Sequence, residues 1–307
     1  MPRPSTISFD PATDIPDLSN KVLLITGGTA GLGTETILQL SKHNPARILF
    51  TGRNTTAAEN VIKSIRATNT KAELKFIQCD FSSLQSVYSA AKGILDGNTR
   101  LDILICNAGI MAMPKGLTAD GYEIQFGVNH LAHALLIKTL LPLLLSTSTL
   151  ADADVRIVST TSLGAGFAST ISFDKLRTEH DMSILGPWRR YGESKLANIL
   201  YVQQLAKRYP VITSTAVHPG VIYTGLVDGL STGNRWFVYA TTVGSSVTLE
   251  EGAKNQVWAA TGRKGDVVSG RFYEPVGKVG RVFKGVKVVG LAGRLWEWTE
   301  GELKGFE

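Results

Sequence analysis

Tyr191 and Lys195 stand four residues apart in the run Tyr-Gly-Glu-Ser-Lys. On a helix that spacing places a phenol and an ammonium on one face. A free phenol titrates at about 10, too high for ready proton transfer at neutral pH, and a neighbouring cation favours the phenolate and lowers that value. The pair has the chemistry to move a proton at a substrate oxygen. The same spacing also arises in ordinary pairs on helix surfaces, so its meaning depends on the company it keeps.

That company is spread along the chain. Thr26-Gly27-Gly28-Thr29-Ala30-Gly31-Leu32-Gly33 joins a short apolar run to a helical pattern. Gly27, Gly31 and Gly33 let the backbone turn tightly and approach a pyrophosphate, with Thr29 and Leu32 between them, and a helix N-terminus offers free N–H groups to an anion. No Gly-Lys-Ser or Gly-Lys-Thr follows, which disfavours a triphosphate loop. In dinucleotide folds the end of the second strand meets the adenosine ribose, where an acid would bind a 2′-hydroxyl. Here Thr51-Gly52-Arg53-Asn54 has no acid. The planar cation of Arg53 suits a 2′-phosphate, so NADPH is expected over NADH.

These residues need strands and helices to hold them. Apolar runs at 21–26, 46–51, 73–78, 101–106, 155–160 and 212–217 read as strands. Helical patterns at 31–43, 55–68, 83–95, about 120–145 and 191–209 lie between them. Strict alternation with short connections implies parallel strands joined by right-handed crossovers. The expected fold is α/β, a single Rossmann-type doubly wound parallel sheet with helices on both faces. Such sheets bind ligands beyond the carboxyl ends of their strands, where every motif above falls. So do Asp80-Phe81, Asn107-Ala108-Gly109, the hydroxyl run Ser159-Thr160-Thr161-Ser162 and His218-Pro219-Gly220-Val221-Ile222-Tyr223-Thr224, while Asn129 lies within the fourth helical pattern.

In this order the motifs resemble the short-chain dehydrogenase/reductase family, over about 20–225 and more loosely to about 275. The resemblance implies that Tyr191 protonates a carbonyl oxygen. Lys195 binds the nicotinamide ribose and lowers the Tyr191 pKa. Ser162 hydrogen-bonds the substrate carbonyl, with Thr161 its structural neighbour, and Asn129 holds a water linked to Lys195. Asp80 and Phe81 then border adenine, and Asn107, Ala108 and Gly109 line the cofactor cleft. Pro219, Gly220, Ile222 and Thr224 approach the nicotinamide. Ser162 and Tyr191 are 29 positions apart, a longer interval than in many relatives. This resembles the retinol-dehydrogenase-like and WW-domain-oxidoreductase-like branch, which shares Ser194-Lys195-Leu196-Ala197-Asn198. Gly270-Arg271-Phe272-Tyr273-Glu274-Pro275-Val276-Gly277 resembles short-chain reductases of fungal secondary metabolism. The implied activity is reduction of a ketone or aldehyde on a bulky apolar metabolite, or the reverse oxidation. Met111, Leu163, Trp188, Trp236 and Tyr239 are the expected substrate contacts. A non-redox cyclase or isomerase, or a nucleotide-sensing protein, stays open on the same fold.

Composition sets the outer limits. The chain has 307 residues, 43% hydrophobic and 19% charged, with 32 basic and 26 acidic side chains for a net charge of +6. That excludes a disordered or collagen-like chain. No DNA-reading motif accompanies the charge, so no nucleic-acid partner is expected. Two cysteines, Cys79 and Cys106, make neither a disulfide framework nor a zinc site. They fit a reducing cytoplasm. Of the five histidines only His130 and His133 are close in sequence, and packing or hydrogen bonding is the expected role there, so no metal is expected. The longest apolar stretch, Leu131–Leu145, contains His133, Lys138 and Pro142 and reads as a core helix, with no integral membrane segment. One domain spanning 1–307 is expected, with a leader at 1–20, a substrate lid at 225–257 and a tail at 276–307. The resemblance also allows a homodimer through the helices near 120–145 and 191–209.

Overall fold

Val22–Ile25 (β1) is buried at every position, as a short apolar strand must be when helices cover both faces of a parallel sheet. The computed structural model describes residues 7–68, 71–182, 185–222, 233–235, 239 and 246–306. Among them β1 is followed by Gly31–Ser41 (α1), Arg47–Gly52 (β2), Thr55–Arg66 (α2), Glu73–Gln78 (β3), Leu84–Asp96 (α3) and Ile103–Cys106 (β4). Then come Ile124–Ser148 (α4), Arg156–Thr160 (β5), Gly186–Arg208 (α5), Thr213–Val217 (β6), Leu249–Thr261 (α6), Phe272–Tyr273 (β7) and Leu291–Glu302 (α7). The strands form one seven-stranded parallel sheet in the order β3-β2-β1-β4-β5-β6-β7. The order reverses between β1 and β4, which opens a crevice at their carboxyl ends.

Each sheet face carries its own core. On one, α1, α2 and α6 pack through Ile37, Leu40, Val61, Ile65, Val257 and Trp258. On the other, α3, α4, α5 and α7 pack through Val87, Leu135, Leu140, Leu200 and Leu295. By length and composition α4 could cross a membrane, yet 61% of its most apolar window is buried inside the fold. Its first turns are widened over Gly127–Leu131 into a π-type helix, a distortion that often marks functional positions; Asn129 is at its centre.

Three expected boundaries need correction. The 1–20 leader is not outside the core: Ile15 and Leu18 are buried in it, two apolar residues too few to give a periodic signal among prolines and aspartates. The 225–257 lid runs too far, because Leu249–Thr261 is a helix capped by Thr248 and packed on α1. Its buried face uses Ala253 and Gly252 as well as Val257, and small residues hide amphipathicity. Finally, α5 begins at Gly186 rather than 191, with Pro187 in its first turn, so Trp188 sits on the catalytic helix itself.

The long interval before Tyr191 is stapled to the body by charge. The Arg190 Nε donates to Glu123 Oε1 at 3.1 Å with both side chains buried, and a second guanidinium nitrogen donates to the Met113 carbonyl. The other Glu123 oxygen accepts the Phe126 N–H. Glu193 accepts from the Ser172 N–H and hydroxyl, and burial pushes its carboxyl up to about 7. The tail joins the same assembly. In α7, Trp296 stacks on Tyr201 of α5 with ring centroids 5.0 Å apart, Trp298 meets Phe126 edge-on, and Glu302 accepts from Tyr122 and Arg177. Thus α7 packs on α4 and α5, the helices through which a homodimer was expected.

Candidate active site

A cleft of about 910 Å³ runs across the carboxyl ends of the strands, near the upper end of ordinary ligand pockets, about 300–1,000 Å³. One end is bordered by Arg53, Asp80 and Phe81. The middle is floored by Gly27, Thr29, Gly31 and Leu32 and by Asn107, Ala108 and Gly109. The far end gathers Ser162, Tyr191 and Lys195 with Met111, Leu163 and Trp188, beside Pro219, Gly220 and Ile222. Asn129 is buried behind that wall rather than on it. Tyr239 is exposed and does not line the cleft; the aromatic rings at that end are Trp188 and Phe167, with centroids 6.0 Å apart. Thr224 and Trp236 lie outside the described residues.

The walls fit a dinucleotide. Gly27 has φ +67°, open to glycine at little cost. A side chain at Gly33 would collide with the Gly27 carbonyl, so the third glycine is what lets α1 begin against the loop. At Gly109 a Cβ would sit 3.1 Å from Asn129 Oδ1 and 3.4 Å from Lys195 Nζ, filling the space directly above the lysine. Asn54, just past Arg53, caps α2 by accepting the Ala57 N–H at 2.9 Å, and the first turn of α2 holds no acid. The β2 end thus presents a cation and a positive helix terminus together.

At the reacting end, α5 carries Tyr191 and Lys195 on one face, and the turn after β5 carries Ser162. The Ser162 oxygen accepts the Gly164 N–H at 3.0 Å. Thr161 points the other way and donates to the Lys195 carbonyl at 2.7 Å. Lys195 Nζ donates to the Thr160 carbonyl at 3.0 Å and lies 5.7 Å from the Tyr191 ring centre. Burial pushes the Tyr191 phenol up to about 12, against the smaller lowering by Ser162, so the expected lowering by Lys195 is overturned by burial. The same burial lowers Lys195 to about 8. At neutral pH Tyr191 therefore holds its proton and Lys195 is mostly charged.

Two supports join segments that are distant in the sequence. Gly164 and Gly192 let the β5 turn press on α5: a Cβ at Gly164 would lie 2.7 Å from Tyr191 Cε1, and one at Gly192 would lie 2.8 Å from the Gly164 carbonyl. The second is His133. Thr26 Oγ1 accepts from the N–H groups of Asn107 and Ala108 at 2.8 and 2.9 Å. Both lone pairs are then used, so its proton goes to His133 Nε2, 2.9 Å away. That fixes the Nδ1–H tautomer, which donates to the Asn129 carbonyl at 3.1 Å. Asn129 in turn holds both backbone groups of Ile110 and donates to the Ser194 hydroxyl. Burial holds His133 neutral, down to about 3. The glycine loop, the Asn-Ala-Gly turn and the catalytic helix are joined through this ring.

The sequence model described as short chain dehydrogenase matches residues 21–173. A "Short-chain dehydrogenase/reductase drtF" of Aspergillus calidoustus is 37% identical over 94% of this chain and 96% of that protein. The chain belongs to the short-chain dehydrogenase/reductase family. This oxidoreductase is also 32% identical to human retinol dehydrogenase 11, over 95% of this chain and 88% of the relative. A crystal structure of an uncharacterized protein from Mycobacterium paratuberculosis superposes with a TM-score of 0.73 at 27% identity, covering 95% and 97% of the two chains. The likeness to these relatives therefore spans nearly the whole length of the chain.

Proposed function

We propose that this dehydrogenase reduces a ketone or aldehyde of a bulky, largely apolar metabolite with NADPH, in the cytoplasm and in a secondary-metabolic pathway. The observation that carries the reading is Tyr191, a protonated phenol between Ser162 and Lys195 at the apolar end of a cleft that otherwise fits a dinucleotide. When bound, the nicotinamide supplies the hydride. The protein's part is to orient the carbonyl on Ser162, donate the Tyr191 proton to its oxygen, and hold the ribose beside Lys195. Ile110, Met111, Met113, Leu163, Phe167 and Trp188 make the substrate end apolar. Trp188 is aimed by donating its indole N–H to Asn234 at 3.0 Å. A relative named as a retinol dehydrogenase supports an apolar substrate.

NADPH oxidation followed at 340 nm with a panel of aryl and terpenoid ketones tests this; conversion of substrate without net cofactor oxidation would favour an isomerase or cyclase instead. The cofactor choice has its own test. Arg53→Ala should weaken NADPH binding by about 10–100-fold, the range of a lost charged hydrogen bond, and leave NADH binding nearly unchanged. A wild-type protein that binds NADH more tightly refutes the assignment. The pH profile follows from Lys195. Its charged form exists below its folded pKa and is lost above it, so kcat/KM for NADPH, which reports the free enzyme, should be level near neutrality and fall above about pH 8.

A further inference from the structure

We propose that the segment 278–289 is a docking surface for an anionic lipid membrane. Among the described residues thirteen large apolar side chains are exposed, and four of them, Val279, Val282, Val288 and Val289, fall in these twelve positions. Val289 is 98% exposed, so it projects from the body instead of lining a groove. Scattered exposed apolar residues are ordinary, whereas a concentration of them marks a contact surface.

The segment is held rigid beneath that display. Phe283 is buried, packs on Phe272 with ring centroids 5.5 Å apart and lies under Gly166. Gly285 is buried against Leu196 and starts a tight turn over Gly285–Lys287. Around these anchors Val282, Lys284, Lys287, Val288 and Val289 all face outward. The protein could bury more apolar surface only by covering them with something else.

Charge decides what that is. Residues 275–296 contain Lys278, Arg281, Lys284, Lys287 and Arg294 and no Asp or Glu, which accounts for five of the chain's six net positive charges. Arg281 is spent on Glu274 and Arg294 lies over Phe173. Lys284 and Lys287 are left beside the projecting valines. Aliphatic tips flanked by lysines match the boundary between anionic headgroups and acyl chains. Nucleic acid phosphates would engage the lysines but leave the projecting valines in water. Phe283 packs beneath the turn that ends in Phe167, a cleft-lining residue, so a bound membrane would lie beside the apolar end of the cleft.

The test is co-sedimentation of the full chain with phosphatidylcholine vesicles, with and without phosphatidylserine. Binding should require phosphatidylserine and weaken as salt rises. Lys284→Gln with Lys287→Gln should lower the affinity roughly 30-fold, from the usual contribution of two cations at such a surface. Val288→Ser with Val289→Ser should lower it roughly tenfold. Turnover of a water-soluble ketone should stay at the wild-type level in both variants, which shows that they are folded. Absence of binding to phosphatidylserine vesicles overturns the proposal, as does binding that neither pair of substitutions weakens. A wild-type dimer in solution that the valine variants split would assign the surface to a second copy of the chain and overturn it too.

Discussion

Tyr191→Phe should lower carbonyl reduction by about 10²–10⁴-fold, the usual contribution of a positioned acid, while cofactor affinity stays within about twofold. The substitution removes one oxygen and keeps the ring. The ring is held by contacts that phenylalanine preserves: the Trp188 edge, with centroids 6.4 Å apart, and the close approach of the Gly164 backbone. What disappears is the proton that burial keeps on the phenol at neutral pH. Direct titration of cofactor binding, alongside turnover of the same preparation, separates the two effects. Parallel losses in affinity and rate would mean that Tyr191 shapes the cleft, and retained turnover would move the proton donor elsewhere, with the Ser162 hydroxyl the nearest candidate. Oxidation needs the phenolate and should accelerate as pH rises.

The parts of this molecule legible in the sequence are those where one local rule decides. The strand starting at Val22, the third strand over Glu73–Gln78 and the glycines of the loop obey periodicity and backbone geometry alone. The position of Tyr191 relative to Lys195 follows from helical spacing. What stayed hidden depends on packing between distant segments. Nothing near Leu249 announces that Gly252 and Ala253 are buried, since small residues carry little hydrophobic signal. The two-residue strand Phe272–Tyr273 exists because β6 offers it an edge. The tight seat of α5 needs Gly164 and Gly192 to meet across 28 positions, and the role of His133 needs Thr26 from another strand. The expected 1–20 leader failed for the same reason: Ile15 and Leu18 become core residues only once the first sheet face exists to receive them.

His133→Leu should destabilise the fold by about 2–4 kcal/mol, measured as the shift in a denaturant midpoint. Leucine fills much of the volume beside Phe81, whose ring lies 4.7 Å from the imidazole, so a cavity is not the main cost. The cost comes from polar groups left behind. The Thr26 hydroxyl already accepts two N–H bonds and loses the only partner for its own proton, and the Asn129 carbonyl loses its donor inside the widened turns of α4. His133→Asn can still present an N–H near the Nδ1 position and should recover part of the loss. Thr26→Val with His133→Leu should cost clearly less than the two single changes added together, since both break one contact; a coupling of about 1–2 kcal/mol is expected. The tautomer is open to separate observation. Nitrogen-15 shifts of His133 should report Nδ1 protonated and Nε2 bare, with no titration between pH 5 and 8, since burial holds the ring neutral. Additive losses, or a proton on Nε2, would show that Thr26 and His133 are merely adjacent. The asparagine variant carries the argument to function: if it folds firmly yet turns over slowly with cofactor affinity intact, the bond to the Asn129 carbonyl serves stability while the Thr26 link aligns the loop with the catalytic helix.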